Sequence, residues 1–442
     1  MTETPTVGVA LVGCGTVGSA VARGLLSDRD LLRGRSGLDL ELRHLVDKDF
    51  SRARQIGVDK AICRKTLDEA LGDADTQIVV ELVGGDTFAK QCVEHSLRAG
   101  KSVVTANKAL LAKHGAELFA LARANGVCIA FEGSCLGGVP VIGSLLNGLI
   151  ANNVEALVGI VNGTCNYILT NMSRHGADYR AVLREAQQTG LAEMDPTLDV
   201  SGGDSAHKLA ILAALAFGRR VDLETITVEG IESLQVEDIR FGDELGYVVK
   251  LLAIASRQGE AISLRVHPAF IRRDHPLARV DGPFNAVCIY GHVVGHTMTY
   301  GRGAGGPATA SAVVADIVDV ALGNAQRRFE HLGVWPDLCE PAKVVPNDDI
   351  RSRYYLHVTC ADSPDVLAQI AHVLGAHDIG IASVLQHEPL TPGSQAVPLV
   401  ITTYEAAEGN LTGALKEIDA LPVTKRRTFF IRIVDEHPEP QF

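Results

Sequence analysis

The chain lacks the features that would place it in several large classes of protein. It has no basic excess: 41 lysines and arginines stand against 53 aspartates and glutamates, a net charge of −12. Nucleic acid is therefore not an expected partner, because binding a phosphate backbone needs a basic surface. No apolar run reaches the length that crosses a bilayer, so no membrane association is expected. The start, MTETPTVGVALVGCG, has no basic segment ahead of its apolar one and does not read as a secretory signal. The nine cysteines include no CxxC pair. An odd, scattered set without metal spacing reads as reduced thiols in a cytoplasmic protein.

What is present is a globular composition, 46% hydrophobic and 21% charged, over 442 residues. That length calls for two or three domains, each with a real core. Residues 6–12 are a short apolar run ending in Gly13-Cys14-Gly15-Thr16-Val17-Gly18, and a helical pattern follows. Strand, glycine turn and helix together are the context of a dinucleotide site. Gly13 permits the tight turn, Gly15 lets a pyrophosphate approach the backbone, and Gly18 allows close packing of helix on strand. A glycine-rich turn with no ligand is the bland alternative.

Short apolar segments recur at 40–47, 77–83, 101–106 and 127–133, separated by helical ones such as Thr66–Leu71, Thr87–Ala99 and Asn107–Asn125. This alternation predicts a Rossmann-type doubly wound parallel sheet over residues 1–138. The texture changes near Pro140. Residues 139–326 read as a mixed α+β second domain. Its expected helices lie at 139–153, 178–189, 203–217 and 243–257, and its expected strands at 156–163, 225–231, 262–271, 284–290 and 293–299. A glycine-rich turn, Gly301 to Pro307, opens a further helix. Residues 327–352 are polar and irregular and read as a linker. Residues 353–442 then show a βαββαβ order.

Residues 186–208, AQQTGLAEMDPTLDVSGGDSAHK, carry the most chemistry. Glu185, Glu193, Asp195, Asp199 and Asp204 crowd toward one lysine, Lys208, and glycines break the run. The pattern predicts a loop from Leu191 to Gly203 and a helix start. Asp204 and Lys208, four apart, then share one helix face. A carboxylate holding an ammonium suits proton transfer to a carbonyl oxygen. An ordinary surface ion pair is the alternative. Lys108 follows Asn107 at the carboxyl edge of the first sheet, where ligands bind in such folds. It also fits an exposed helix lysine.

This stretch resembles the signature of homoserine dehydrogenases at Ala186, Gly190, Leu191, Ala192, Asp195, Pro196, Asp199, Val200, Gly202, Asp204 and Lys208. VELVGG (80–85), VVTANKALLA (103–112), EGSCLGGVPVI (132–142) and GIVNGTCNYIL (159–169) extend the resemblance over essentially the whole chain. It implies reversible NAD(P)-dependent reduction of L-aspartate 4-semialdehyde to L-homoserine, in threonine and methionine biosynthesis. It also assigns catalysis and oligomerisation to the domain at 139–326. Lys208 would then be the general acid, with Asp204 positioning it and Lys108 beside nicotinamide and substrate. The resemblance also implies substrate contacts from Glu193, Gly190, Asp199 and Thr164. For the cofactor it implies Gly13, Gly15, Thr16, Val17, Gly18, Asp47, Gly84, Thr105, Lys108 and Gly303. Thr164 equally reads as a helix N-cap.

Glu132, Cys135, Gly137 and Val139 match positions that hold a monovalent cation, Na+ or K+, in that family. A plain turn between domains would look the same. Asp47 ends the second strand, where an acidic side chain pairs with a ribose 2′-hydroxyl and repels a 2′-phosphate. NAD is thus favoured, although Lys48 and Arg52 keep NADP open, and so does a merely solvated Asp47. The C-terminal segment resembles an ACT domain, which implies an L-threonine effector. Asp365, however, stands where glycine commonly follows the proline. A homodimer or homotetramer is expected. Two rival readings are a catalytically silent amino-acid sensor and another semialdehyde or amino-acid dehydrogenase on the same architecture.

Overall fold

The computed structural model describes residues 4–387 and 396–438. The remaining parts of the 1–138 and 353–442 spans lie outside the described residues. Six strands, β1 (Thr6–Val12), β2 (Asp39–Val46), β3 (Cys63–Arg64), β4 (Thr76–Glu81), β5 (Ser102–Thr105) and β6 (Ile129–Ala130), make one sheet in the order β3-β2-β1-β4-β5-β6. Every pairing is parallel. Helices cover both faces, so the strands read as continuous apolar runs rather than alternating ones. Strand order reverses between β1 and β4. A crevice therefore opens past their carboxyl ends, the position at which such folds bind ligands.

The chain returns to this domain late. The helix Gly306–Ala321 packs on the helix Thr16–Ser27 that follows the glycine turn. Its Ala310, Val313 and Ile317 join Val9, Leu11 and Val21 in one apolar core.

The second sheet has eleven strands. They are β7 (Val154–Ile160), β8 (Thr227–Val228), β9 (Tyr247–Gln258), β10 (Ala261–Arg272), β11 (Phe284–Gly291), β12 (Gly295–Arg302), β13 (Arg351–Ala361), β14 (Ile381–Gln386), β15 (Ala396–Thr403), β16 (Ala406–Ala407) and β17 (Phe429–Ile433). The path is β12-β11-β7-β9-β10-β17-β13-β15-β14, with β8 beside β10 and β16 beside β13. The C-terminal βαββαβ unit thus extends the catalytic sheet. The seam is thin: β10 and β17 pair over Ala269↔Arg432 and Phe270↔Ile433. Apolar packing continues across it, since Tyr355, Val400, Ile431 and Ile433 share a core with Leu209 and Leu251.

Several expected elements take another form. Residues 243–257 do not form a helix: the helix Val236–Glu244 ends first, and β9 runs from Tyr247 to Gln258. YVVKLLAIAS is apolar apart from Lys250 and Ser256, because β9 is sandwiched between β7 and β10 and buried on both faces, which hides the two-residue period. The expected helix over 139–153 is broken into a short turn, Val141–Gly143, and a wide π turn, Ser144–Gly148, where glycines interrupt it. The 225–231 strand shrinks to Thr227–Val228, and the 293–299 strand shifts to Gly295–Arg302.

The expected linker 327–352 is not a free one. It opens inside the helix Asn324–His331, and Trp335 is buried in the catalytic core. Asp337 pairs with Arg123 at 2.9 Å. Among the described residues no single helix is long and apolar enough to cross a membrane.

Candidate active site

The glycine turn has the backbone needed to cradle a phosphate. Gly13 has φ +93°, and a Cβ there would sit 2.7 Å from the Leu82 carbonyl oxygen across the crevice. A Cβ on Gly18 would sit 1.9 Å from the Gly13 oxygen, so helix and turn touch only because residue 18 is glycine. Gly15 caps the helix Thr16–Ser27 and has open space where its side chain would be. Thr16 and Val17 form the first turn of that helix, whose free N–H groups suit an anion.

Gly84, at φ +74°, also faces open space, just past β4. The Thr105 hydroxyl is used internally: it donates to Glu81 at 2.7 Å and accepts from the Asn107 N–H at 3.0 Å. It shapes the loop rather than presenting a free hydroxyl. Gly303 packs directly on the Asn285 carboxamide, which leaves no room for a Cβ.

Asp47 follows β2 and turns its carboxylate onto the glycine turn. Oδ2 accepts the Cys14 N–H at 2.5 Å and Oδ1 accepts the Asp49 N–H at 3.1 Å. Arg52 donates to the Thr16 hydroxyl at 3.1 Å, on the same turn. Lys48 lies over the Phe88 ring.

Asp204 is the centre of the second cluster. It opens the helix Gly203–Phe217 and is buried. Lys208, one turn on, donates to its Oδ2 at 2.7 Å and to the Val161 carbonyl at 2.6 Å. Lys108 starts the helix Lys108–Ala124 in the first domain, capped by the Asn107 side chain. It reaches Asp204 Oδ1 at 3.0 Å. The ion pair is therefore a three-residue bridge between domains, with Asp204 and Lys208 buried and Lys108 about a third exposed, at 34%. Burial alone would raise the Asp204 pKa, but the ammoniums of Lys208 and Lys108 outweigh it and hold the carboxyl well below its usual range. Burial likewise opposes the Lys108 charge, and Asp204 more than offsets it, so Lys108 stays protonated above the usual lysine value.

Asn162 was not picked out from the sequence. Its Nδ2 donates to both Asp204 and Asp199, each at 2.8 Å, and its Oδ1 caps the helix Gly163–His175 through the Cys165 N–H. Thr164 is consequently not the cap. Its hydroxyl donates to the Leu191 carbonyl at 3.1 Å and ties down the strap that carries Gly190 and Glu193. Glu193 stands exposed on that strap. The only sequence signal for Asn162 was an asparagine ahead of a Gly-Thr helix start, a common cap pattern.

The four residues expected to hold a cation sit between the domains, with Cys135 within electrostatic reach of Lys208 and Lys108. The Glu132 carboxylate accepts the N–H groups of Ile142 and Gly143 at 2.9 and 2.6 Å. Its own N–H donates to Asp316 at 2.8 Å. Leu136 and Gly137 both have positive φ, and the Val139 carbonyl accepts the Val141 N–H at 2.8 Å. Burial pushes the Glu132 acid up, and burial together with the Glu132 charge pushes Asp316 well up. Arg328, which acts on both, is bonded to Asp319. Two adjacent half-buried carboxylates with partial compensation fit a small hard cation. Cys135 is buried and would offer only its carbonyl. Among the described residues no group of three or more His, Cys, Asp or Glu side chains could hold a metal.

Known proteins share this arrangement. A family model described as homoserine dehydrogenase matches residues 140–318, and one described as homoserine dehydrogenase, NAD binding domain, matches residues 13–132. The homoserine dehydrogenase of Neisseria gonorrhoeae is 38% identical over 98% of this chain and 99% of its own length. That of Pseudomonas aeruginosa is 40% identical over 94% and 96%. The crystal structure of a homoserine dehydrogenase from Thiobacillus denitrificans superposes with a TM-score of 0.91 at 38% identity, covering 97% of this chain and 98% of that one. A hyperthermophilic archaeal homoserine dehydrogenase in complex with NADPH gives 0.60 at 28% identity, over 72% of this chain and 98% of its own. With a nicotinamide-dinucleotide fold facing a paired-lysine site, and with these matches along nearly its full length, the chain belongs to the homoserine dehydrogenase family of NAD(P)-dependent oxidoreductases.

Proposed function

We propose that the chain reversibly reduces L-aspartate 4-semialdehyde to L-homoserine, on the route to threonine and methionine. The observation that carries this reading is Asp204, buried and gripped by a lysine from each domain. A bound nicotinamide supplies hydride to the aldehyde carbon or takes it back. Lys208 spends two N–H groups on Asp204 and Val161, which leaves its third for a substrate oxygen. In the reductive direction that N–H bond breaks and the aldehyde oxygen takes the proton as the C=O π bond opens. The lysine is left as an amine, to be reprotonated from solvent. The alcohol direction reverses each transfer. Asp204 keeps Lys208 aimed, and Lys108 adds positive charge beside the developing alkoxide.

Glu193 is assigned to the substrate ammonium, and Gly190, Asp199 and Thr164 to the wall around it. Gly13, Gly15, Thr16, Val17, Gly18, Gly84 and Gly303 frame the dinucleotide, with Thr105 acting through the loop it shapes. Asp47 favours NAD, because its carboxylate lies against the glycine turn where a 2′-phosphate would be repelled. Arg52 makes NADP usable. Na+ or K+ would be held by Glu132 with the carbonyls of Cys135, Gly137 and Val139, and would offset the charge shared with Asp316.

The C-terminal unit is assigned to homodimer or homotetramer assembly and to an amino-acid effector, L-threonine. Asp365 has φ +75° at the start of the helix Val366–Ala376, a conformation that glycine adopts without strain. The nine free thiols fit a cytoplasmic enzyme.

The test is semialdehyde-dependent oxidation of NADH and NADPH by the purified chain. Lys208→Ala should cut turnover roughly 100-fold or more with the fold intact. Near-normal turnover in a folded variant would remove Lys208 from its role, and no turnover in the wild type would favour the silent sensor.

A further inference from the structure

The catalytic loop is held from the far side by a charge that belongs to the C-terminal unit. Arg432 lies on β17 and is buried. Its guanidinium grips Glu229 with two parallel bonds of 2.9 and 2.7 Å. The same guanidinium bonds Glu408, the first residue of the helix Glu408–Ala420, at 3.0 Å through Nε and again through Nη2. One cation is thus shared between a carboxylate of the catalytic domain and one of the C-terminal unit. Bidentate pairing of this kind fixes geometry as well as charge.

Glu229 lies against the segment that carries the catalytic residues. Its own N–H is anchored to the Val266 carbonyl of β10 at 2.8 Å. Gly230 follows, and a Cβ there would come within 2.4 Å of the Val200 carbonyl oxygen and 2.8 Å of the Ser201 Cα. The Ile231 N–H bonds that same Val200 carbonyl at 2.9 Å. A Cβ on Gly202 would meet the Val228 side chain at 2.9 Å. The floor formed by Val228 to Ile231 therefore presses directly on residues 200–202. That segment separates Asp199 from Asp204, the two carboxylates joined by Asn162.

Given Asp204 and Lys208 as the working groups, we infer that Arg432 is a positioning residue for the reaction, setting the catalytic loop through Glu229. The thin backbone seam between β10 and β17 gives this clamp its leverage. With only two residue pairs of β10 and β17 in register, the angle of the C-terminal unit is set largely by side chains, Arg432 among them beside Tyr355 and His357, which bond Asp238. A tilt of the helix Glu408–Ala420 draws Arg432 with Glu408 and loosens its hold on Glu229. The loop under Asp204 then shifts by a fraction of an ångström, and misplacement on that scale is costly in catalysis.

The test uses the full-length protein and Glu229→Ala, since Glu229 is partly exposed and its loss leaves Arg432 still paired to Glu408. Turnover should fall about ten-fold with the KM for NADH unchanged. Amide hydrogen exchange should rise in the peptide spanning residues 197–204. Glu229→Gln, which retains the shape and one acceptor, should recover part of the loss. Arg432→Met added to Glu229→Ala should cost nothing more in turnover. If that double variant does not fold, the two Glu229 variants and the exchange measurement decide. Wild-type turnover with wild-type exchange at 197–204 in Glu229→Ala, or additive losses in the double variant, would overturn the clamp. Inactivity of the wild type itself would instead overturn the functional reading on which the clamp depends.

Discussion

Asp204→Asn removes one charge from the middle of the site and almost no volume. In the wild type the carboxylate meets Lys208 at 2.7 Å and Lys108 at 3.0 Å. At the effective dielectric suited to protein interiors, a contact near 3 Å is worth about 5 kcal/mol of attraction before desolvation. The Lys208 pair is buried on both sides, so little of that is screened by solvent. Loss of one partner of such a pair costs about 3–5 kcal/mol, because the other charge is left buried and uncompensated. The Asn162 bond survives, since asparagine still offers an oxygen. The variant should therefore fold with a lower melting temperature and its Lys208 free to leave the Val161 carbonyl.

Turnover should fall by about 10²-fold, the usual effect of misdirecting a proton donor. The assay is semialdehyde-dependent NADH oxidation, run with protiated and 4-deuterated cofactor. Chemistry should become rate-limiting, so the isotope effect on turnover should rise. Folded Asp204→Asn protein with turnover within about three-fold of wild type would refute the bridging role.

Asp47→Asn should raise the ratio of kcat/KM for NADPH over NADH by about ten-fold, because a fixed negative charge leaves the ribose site while Arg52 remains; an unchanged ratio would mean that Asp47 serves only the Cys14 and Asp49 N–H groups. Asp316→Asn should melt higher than wild type near pH 7.5 in buffer free of Na+ and K+, with the gain vanishing toward pH 4. The sign follows from the raised Asp316 acid. Below the ordinary carboxyl pKa of about 3.9 both states are protonated, and as pH rises above it the unfolded chain ionises first, so stability is lost with rising pH. Asparagine never ionises and escapes that loss; a variant that melts lower at both pH values would show that the Asp316 charge is well compensated.

The local and short-range features were legible in the sequence. The glycines at 13 and 18 answer to the turn itself, the positive φ of Gly13 and the 1.9 Å approach of a Cβ at 18 to the Gly13 oxygen, while Gly15 leaves open space beside the turn. Asp204 and Lys208 share a face because helix geometry places residues four apart together. The alternation of strands and helices in the first domain likewise follows from each element's own pattern. β9 was not legible, because a strand buried on both faces loses the period that distinguishes it from a helix.

Only the tertiary structure decided which distant groups meet. Lys108 reaches Asp204 because two domains pack on each other, and no pattern in either segment records that contact. Asn162, passed over in the sequence where Thr164 reads as the cap, becomes a bridge between two carboxylates only when β7 delivers it beside the catalytic helix. Arg432 and Glu229, 203 residues apart, are joined only because β17 adds to the edge of β10. The seemingly free linker is packed because Trp335 finds an apolar core to fill. A side chain's local pattern states what it can bond, while burial and the closure of long loops decide what it does bond.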